Sequence, residues 1–182
     1  VYAVAEANPE DSFTVLTQTF LMPLFINRPL NVNVMGINTR STEKSFPGFL
    51  RYAFILRKYK FDKVIDLHCV IRSRMMDVIF RLSGKPVFKI TKGRKERKLL
   101  IRRPPKEIFP LRPMVERYAD VFHAAGFDFD ETFVSLYDKN PVDEMAVKMM
   151  AGSKKGYWVG IAPFAKHRGK MYPIEKMERV VE

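Results

Sequence analysis

Short apolar runs alternate with segments of helical periodicity along this chain, and that alternation most constrains its fold. Strands separated by helices are typical of βαβ units, whose right-handed crossovers produce parallel sheets with helices on both faces. The sequence therefore predicts an α/β fold with a doubly wound parallel sheet. The predicted strands cover residues 13–17, 31–37, 63–68, 86–90, 132–137 and 157–162. The predicted helices cover residues 1–7, 19–26, 46–59, 71–82, 111–125 and 142–150.

Two domains of unequal completeness are predicted. With 182 residues, 47% of them hydrophobic, the chain is large enough for a hydrophobic core. Residues 1–150 are predicted to form the first domain, and residues 151–182 a linker, GSKKG, and the start of a second domain. We expect the first domain to lack its first strand, since α/β sheets usually open with one. We expect the second to be truncated, because it is smaller than the ~40 residues that even stapled domains need.

The cysteine count and the absence of several motifs exclude whole classes of protein. The single cysteine, Cys69, rules out an internal disulfide framework and favours a reducing cytoplasm. No apolar run approaches the roughly 20 residues that span a bilayer. The sequence has no glycine-rich nucleotide loop, zinc-protease motif or nucleophile elbow, and its three histidines lack partners at metal-ligand spacing. We therefore expect neither a metal site nor a cofactor.

Positive charge is concentrated in one segment of the chain. Residues 85–106 contain ten Lys or Arg and one acid, so they supply +9 of the net charge of +12. This concentration favours a partner with clustered negative charge, such as a nucleic acid, a lipid headgroup or a phosphorylated sugar. A solvated loop without a partner is the alternative, and composition does not choose among these.

Polar residues follow the strand predicted at 63–68. Asp66, His68 and Arg72 fall at its carboxyl end and at the start of the next helix. Open parallel sheets bind their ligands at this edge, so the three side chains are candidates for contact with a ligand. Alternatively, Asp66 and Ser73 cap the helix that follows.

A basic turn precedes the last predicted helix, which Pro173 opens. Its basic side chains are Lys166, His167, Arg168 and Lys170. A helix N-terminus offers free backbone N–H groups and partial positive charge to phosphates. We therefore expect the turn to hold an anion within reach of Lys170. The alternative is that Lys170 is an exposed lysine in a polar loop.

Three stretches of sequence carry motifs that are more specific than composition. They are VIDLHCVIRSRMMDVIFRLSGKP at 64–86, VERYADVFHAAGFD at 115–128 and VGIAPFAKHRGKMYP at 159–173. In that order they resemble the D-L-x-G-x-x-R-S … R-L-x-G, R-Y-x-x-x-L-x-x-x-G and I-x-P-G-A … K-x-W-P motifs of one family. That family is the ADP-heptose:lipopolysaccharide heptosyltransferases of glycosyltransferase family 9. The three stretches together span most of the chain.

The resemblance implies a GT-B fold, in which two Rossmann-like domains face each other across a cleft. It implies inverting, metal-independent transfer of heptose from ADP-heptose to the inner core of lipopolysaccharide. Departing ADP needs cationic stabilisation as its charge develops, and Lys170, Lys166 and Arg168 are the residues expected to bind that diphosphate. The acceptor is expected on the first domain. Its candidate binding residues are Asp66, His68, Arg72, Lys92, Arg94, Lys95 and Arg97.

The sequence departs from the family motifs at several positions. Phe164 and Cys69 stand where the motifs have glycine, and Tyr172 stands where they have tryptophan. The resemblance puts the catalytic base upstream of Val1, and the ribose-binding acid and glycine-rich donor loop downstream of Glu182. The catalytic residue therefore stays unassigned, and we expect this segment alone to be inactive.

The resemblance also implies a location and a set of partners. It predicts a cytoplasmic protein that associates peripherally with the anionic inner membrane through basic and aromatic surface. Nucleic acid is not expected as a partner, because the basic segment lacks aromatic residues for base stacking between Phe88 and Phe109. A basic α/β nucleic-acid-binding module is nevertheless one alternative, and it predicts steeply salt-dependent binding. A transferase that uses another nucleotide sugar is the other.

Overall fold

A computed structural model describes residues 1–102, 108–130 and 159–181, together with residues 136, 148, 149, 152, 156 and 157. The chain divides into two compact units, Val1–Asn140 and Pro141–Glu182. The strand predicted at 132–137, the helix predicted at 142–150 and the linker at 152–156 lie mostly outside the described residues.

The first unit is an α/β structure with small parallel sheets. Its strands are β1 (Phe13–Gln18), β2 (Val32–Ile37), β3 (Val64–Asp66) and β4 (Val87–Lys89). Its helices are α1 (Tyr2–Ala7), α2 (Phe46–Arg57), α3 (Ile71–Leu82), α4 (Arg94–Leu100) and α5 (Met114–Ala124). Within the described residues, β1 pairs with β2 and β3 pairs with β4, so the strands form two separate sheets. The four strands predicted in this part of the chain are confirmed, with small differences at their ends.

Helices cover both faces of these sheets. Leu16, Val64 and Val87 pack against a cluster centred on residues of α2 and α3. Because neighbouring residues of a strand point to opposite faces, Ile65 and Phe88 face the other way. They pack, with Phe13 of β1, against a second cluster. The buried members of the second cluster are Val4 of α1 and Phe122, Ala125 and Phe127 in and after α5.

The ends of α2 and α5 follow local signals in the sequence. The Ser45 side chain accepts the Gly48 N–H at 3.2 Å, which caps the first turn of α2. Gly126, directly after the C-cap of α5, has a φ of 86°. That left-handed conformation favours glycine, as the sequence predicted for this helix end.

Two predictions in the first unit are corrected by the structure. The helix expected at 19–26 is a short 3-10 helix, Thr19–Leu24, with Pro23 inside it. Proline has no N–H to donate, so a regular α-helix is disfavoured there. The basic segment, predicted as a loop, contains α4. Its sequence RKERKLL consists of strong helix formers.

The described part of the second unit contains a 3-10 helix, Arg168–Lys170, and α6 (Ile174–Val181). The Pro173 carbonyl accepts the N–H groups of Lys176 and Met177 at 3.0 Å, so α6 starts where the sequence predicted. The strand predicted at 157–162 is wrong, since residues 157 and 159–162 are not in a strand. Tyr157 is fully exposed there. A strand needs a neighbour for its backbone groups, and the described residues of this unit supply none.

Candidate functional site

The carboxyl ends of β3 and β4 lie side by side at one edge of the first unit. Asp66 at the end of β3 is in register with Lys89 of β4, and its carbonyl accepts the Ile90 N–H at 3.0 Å. The loop into α3 and the segment into α4 both leave the sheet from this edge. The structure therefore brings the two groups of predicted acceptor-binding residues to one edge. They are Asp66, His68 and Arg72 after β3, and Lys92, Arg94, Lys95 and Arg97 after β4.

Asp66 is buried and organises the loop between β3 and α3. Its Oδ1 accepts the backbone N–H groups of His68 at 2.8 Å and Cys69 at 2.7 Å. Its Oδ2 accepts the hydroxyl of Ser73 at 2.7 Å, and Ser73 Oγ in turn accepts the Val70 N–H at 3.0 Å. The capping alternative holds only in part, because Ser73 bonds the N–H of the N-cap residue Val70, whereas Asp66 accepts N–H groups of the loop ahead of the helix. Contact of Asp66 with a ligand stays a prediction, and its observed effect is to shape the loop.

Cys69 adopts a backbone conformation that favours glycine. Its φ is 45°, in the left-handed region. For a residue with a Cβ this region costs roughly 1–2 kcal/mol. The two N–H groups bound to Asp66 belong to Cys69 and the residue before it, so these hydrogen bonds hold the strained turn in place.

His68 in this loop and Arg72 in the first turn of α3 have exposed polar side chains. The Arg72 guanidinium donates to the carbonyl of Lys44 at 3.2 Å and to that of Thr39 at 3.5 Å. These hydrogen bonds tie the start of α3 to the segment between β2 and α2. Arg72 is therefore an exposed cation whose position is constrained by backbone carbonyls.

A buried arginine, Arg117 of α5, holds the start of the basic segment. It donates to the carbonyls of Thr91 and Arg112, both at 3.2 Å, and to the carboxylate of Glu96 at 2.5 Å. A Cβ at Gly93 would lie 2.6 Å from two of its nitrogens, and the φ of 58° at this position also favours glycine beside the guanidinium. The sequence interpretation missed Arg117 as a site residue. The sequence feature that could have identified it is its position as a charged residue on the apolar face of α5.

The contact between Arg117 and Glu96 affects the charge that the edge presents. Glu96 is the one acid among residues 85–106, and it is paired with a cation from outside that segment. Arg94, Lys95 and Arg97 of α4 are exposed, and Lys92 is half-buried. The surface of α4 is therefore strongly cationic, which suits an anionic ligand.

A second carboxyl group, Asp77, lies beneath the loop on the buried side of α3. Burial is the main cause that raises the pKa of Asp77 to about 6, and the neighbouring Asp66 contributes through its charge and a hydrogen bond. Arg81 and Lys89 act in the opposite direction. The sequence interpretation did not single out Asp77. The sequence feature that could have identified it is an acid at a core-facing position of an amphipathic helix.

Replacing Asp77 with Asn is expected to stabilise the chain at neutral pH. Because the native pKa of about 6 lies above the ordinary 3.8, the native state binds the proton more tightly, and wild-type stability falls as pH rises between these values. Asn keeps a donor toward Asp66 and cannot ionise. Above pH 6 its free energy of unfolding should exceed that of the wild type by about 2–3 kcal/mol, since one pKa unit corresponds to about 1.4 kcal/mol. Below pH 3.8 the two proteins should agree.

Urea unfolding of both proteins across this pH range would measure the difference in stability. Asp62→Asn is a suitable control, because Asp62 is exposed near the surface lysine Lys85. A difference between Asp77→Asn and wild type that does not change with pH would contradict the assignment of the raised pKa to Asp77.

The second unit presents the three residues predicted to bind diphosphate. Lys166, Arg168 and Lys170 are all exposed and lie in the turn directly ahead of α6. The Lys170 N–H donates to the His167 carbonyl at 2.9 Å, which closes the 3-10 turn. Glu175 adds a negative charge in the first turn of α6. The turn is thus a cationic surface with one acid beside it.

Among the described residues, no group of three or more His, Cys, Asp or Glu side chains could hold a metal ion. In the same part of the chain, each helix is too short or too polar to cross a bilayer. Comparisons of the chain with protein-family models, with curated proteins and with solved structures found no match. The chemistry of the residues themselves is therefore the basis for a functional proposal.

Proposed function

We propose that this chain is the acceptor-side domain, with the start of the donor-side domain, of a family 9 glycosyltransferase. The enzyme transfers heptose from ADP-heptose to the inner core of lipopolysaccharide, with inversion and without a metal ion. The main support for the proposal is the loop after β3. Its contacts involve three positions of the stretch that resembles the family motif D-L-x-G-x-x-R-S. Asp66 accepts two loop N–H groups, Ser73 donates to Asp66, and position 69 has the φ of a glycine.

A Rossmann-like fold for the first unit, as in one domain of a GT-B enzyme, is part of the same proposal. Two parallel strand pairs with helices on both faces are compatible with a doubly wound sheet. Phe13 of β1 and Ile65 of β3 pack against the same apolar cluster. One further strand between β1 and β3, parallel to both, would join the two pairs into a single sheet.

The proposed acceptor site is the edge formed by the ends of β3 and β4. Inner-core acceptors are acidic, and the exposed cations of α4 are matched to such a ligand. Arg94 and Arg97 offer planar guanidinium groups that bind phosphate oxygens in pairs. Arg72 and His68 extend the polar edge on the β3 side. The acceptor class is therefore a phosphorylated or carboxylated saccharide.

The proposed diphosphate site is the turn ahead of α6. Transfer leaves ADP with a developing negative charge, which nearby cations stabilise in the transition state. Lys170, Lys166 and Arg168 supply three cations within five residues. Lys170 matches the lysine of the family motif K-x-W-P, so we assign to it the main contact with the diphosphate.

The test is ADP release by the protein expressed from its complete coding sequence. The expected result is release from ADP-heptose that depends on a Kdo-lipid A acceptor, with none from UDP- and GDP-sugars assayed in parallel. Acceptor-dependent release from a different donor would keep the transferase class and change the nucleotide sugar. Absence of release from every donor, together with salt-sensitive binding to nucleic acid, would replace the proposal by the nucleic-acid-binding alternative.

A further inference from the structure

Helix α3 carries a second apolar stripe, on its solvent side. Ile71, Met75, Val78 and Leu82 follow at spacings of four, three and four residues, which places them along one face of the helix. Ile71 is 80% exposed, Val78 55% and Leu82 84%. The buried apolar residues on the core side of α3 are Met76, Ile79 and Phe80, and Met75 packs at the margin of the same cluster. A surface helix needs only one apolar face for its own core, so the second stripe points to a partner.

A groove of about 450 Å³ runs between this stripe and α2. Phe46 and Leu50 line it from α2, while Ile71, Met75 and Val78 line it from α3. The guanidinium-bearing Arg74 lines it as well. Phe46 is 63% exposed, so the apolar surface continues from one helix to the next.

All exposed charges on these two helices are positive. The charged residues of α2 and α3 are Arg51, Arg57, Arg72, Arg74, Arg81 and Asp77. The five arginines are exposed, whereas Asp77 is buried on the core side. Of the acids near the ends of these helices, Glu43 accepts the Asn38 N–H and Asp62 lies 3.7 Å from Lys85 Nζ. The face is therefore complementary to a surface that is apolar and anionic at once.

We propose that the α2–α3 face docks the protein on an anionic lipid bilayer. Ile71, Val78 and Leu82 lie at the boundary between headgroups and acyl chains, and the flanking arginines bind lipid phosphates. Helices that lie in a membrane interface have this pattern of an apolar face beside cations, and guanidinium groups suit phosphate geometry. A second copy of this chain is a poor occupant, because it would place arginines against arginines.

This inference goes beyond the proposed transfer reaction, and it goes beyond the expectation of peripheral membrane association, which named no face of the protein. It assigns membrane contact to the α2–α3 face of the first unit. The residues of α4 are then free to bind the polar part of an acceptor. Vesicle binding requires no nucleotide sugar, so its outcome is separate from that of the ADP-release assay.

The experiment is co-sedimentation of the full chain with vesicles. One preparation is phosphatidylcholine alone, and the other is an equimolar mixture with phosphatidylglycerol. We expect the chain to sediment with the anionic vesicles and to remain in the supernatant with the neutral ones. Ile71→Ser/Val78→Ser should weaken partitioning by about tenfold or more, because two apolar side chains no longer leave water. Arg74→Glu should weaken it by about tenfold through reversal of one charge at the lipid surface.

Matched controls separate the groove from general surface effects. Leu30→Ser/Ile108→Ser removes two apolar side chains elsewhere that are more exposed than Ile71 and Val78, and it should leave partitioning unchanged. Unfolding of each variant in urea checks that folding is intact. Retention of full binding by both groove variants would overturn the proposal, as would loss of binding only in Arg94→Glu/Lys95→Glu. A wild-type chain that sediments with neither vesicle would also overturn it and leave the face to a protein partner.

Discussion

Replacing Asp66 with Ala is expected to lower the free energy of unfolding by about 3 kcal/mol or more. The change removes three hydrogen bonds to a buried carboxyl group, two of them from the backbone N–H groups of His68 and Cys69. Donors left without a partner each cost about 1–3 kcal/mol when they are buried, and bonds to a carboxylate are stronger than neutral ones. The left-handed turn at Cys69 also loses the contacts that hold it. Urea unfolding at neutral pH measures the loss.

Asp66→Asn is the matched control for this prediction. Its amide oxygen can still accept the His68 and Cys69 N–H groups, and its NH₂ group can donate to Ser73 Oγ. We therefore expect Asn to cost about 1 kcal/mol, clearly less than Ala. The amide hydrogens of His68 and Cys69 should exchange faster than in the wild type in Asp66→Ala, and at nearly the wild-type rate in Asp66→Asn. Equal losses in the two variants would contradict the role assigned to these hydrogen bonds.

Replacing Lys170 with Ala is expected to lower kcat/KM for ADP release by about tenfold or more in the protein expressed from its complete coding sequence. The proposed contact is with diphosphate oxygens whose charge increases as the sugar leaves, so the main effect should be on kcat. Lys170 is exposed in its turn, and its backbone bond to the His167 carbonyl does not depend on the side chain. Stability should therefore be almost unchanged. Steady-state kinetics with ADP-heptose and the Kdo-lipid A acceptor measures the effect.

Lys176→Ala is the control for Lys170. Lys176 is an exposed lysine within α6, beyond the turn that carries the proposed diphosphate contacts. Its replacement removes the same charge from the same unit and should leave the kinetics near those of the wild type. Unchanged kinetics in Lys170→Ala, or equal losses in both variants, would remove Lys170 from the proposed diphosphate site.

Much of the local structure was predictable from neighbouring residues in the chain. The Gly126 signal predicted the end of α5, and Pro173 predicted the start of α6, because caps and breakers act within one helical turn. The strands of the first unit followed from short apolar runs. Prediction was wrong for residues 157–162, where the same kind of run has no neighbouring strand among the described residues of its unit. An apolar run predicts a strand only when another strand can pair with it.

The candidate site was predictable in its residue types and less so in its contacts. Asp66 and Arg72 were identified from their place at a strand end, and the cations of α4 from the concentration of positive charge and from the family resemblance. Their place at strand ends did not predict which of them face solvent. In the structure Asp66 is buried and hydrogen-bonded within its own loop, whereas Arg72 is exposed. The partners of Arg117 lie up to 26 residues away, so no local pattern indicated them. The same holds for the proximity of Asp77 to Asp66.

By itself, the sequence determined the mixed α/β character, the positions of most elements in the first unit and the concentration of positive charge after β4. These properties depend on periodicity, helix propensity and composition, which act over a few neighbouring residues. Only the tertiary structure decided that Asp77 is buried beside Asp66, that Arg117 pairs with Glu96, and that α3 keeps an apolar stripe in solvent. Each of these depends on which helix face meets the sheet. Packing between distant segments decides that choice, and no local pattern in the sequence records it.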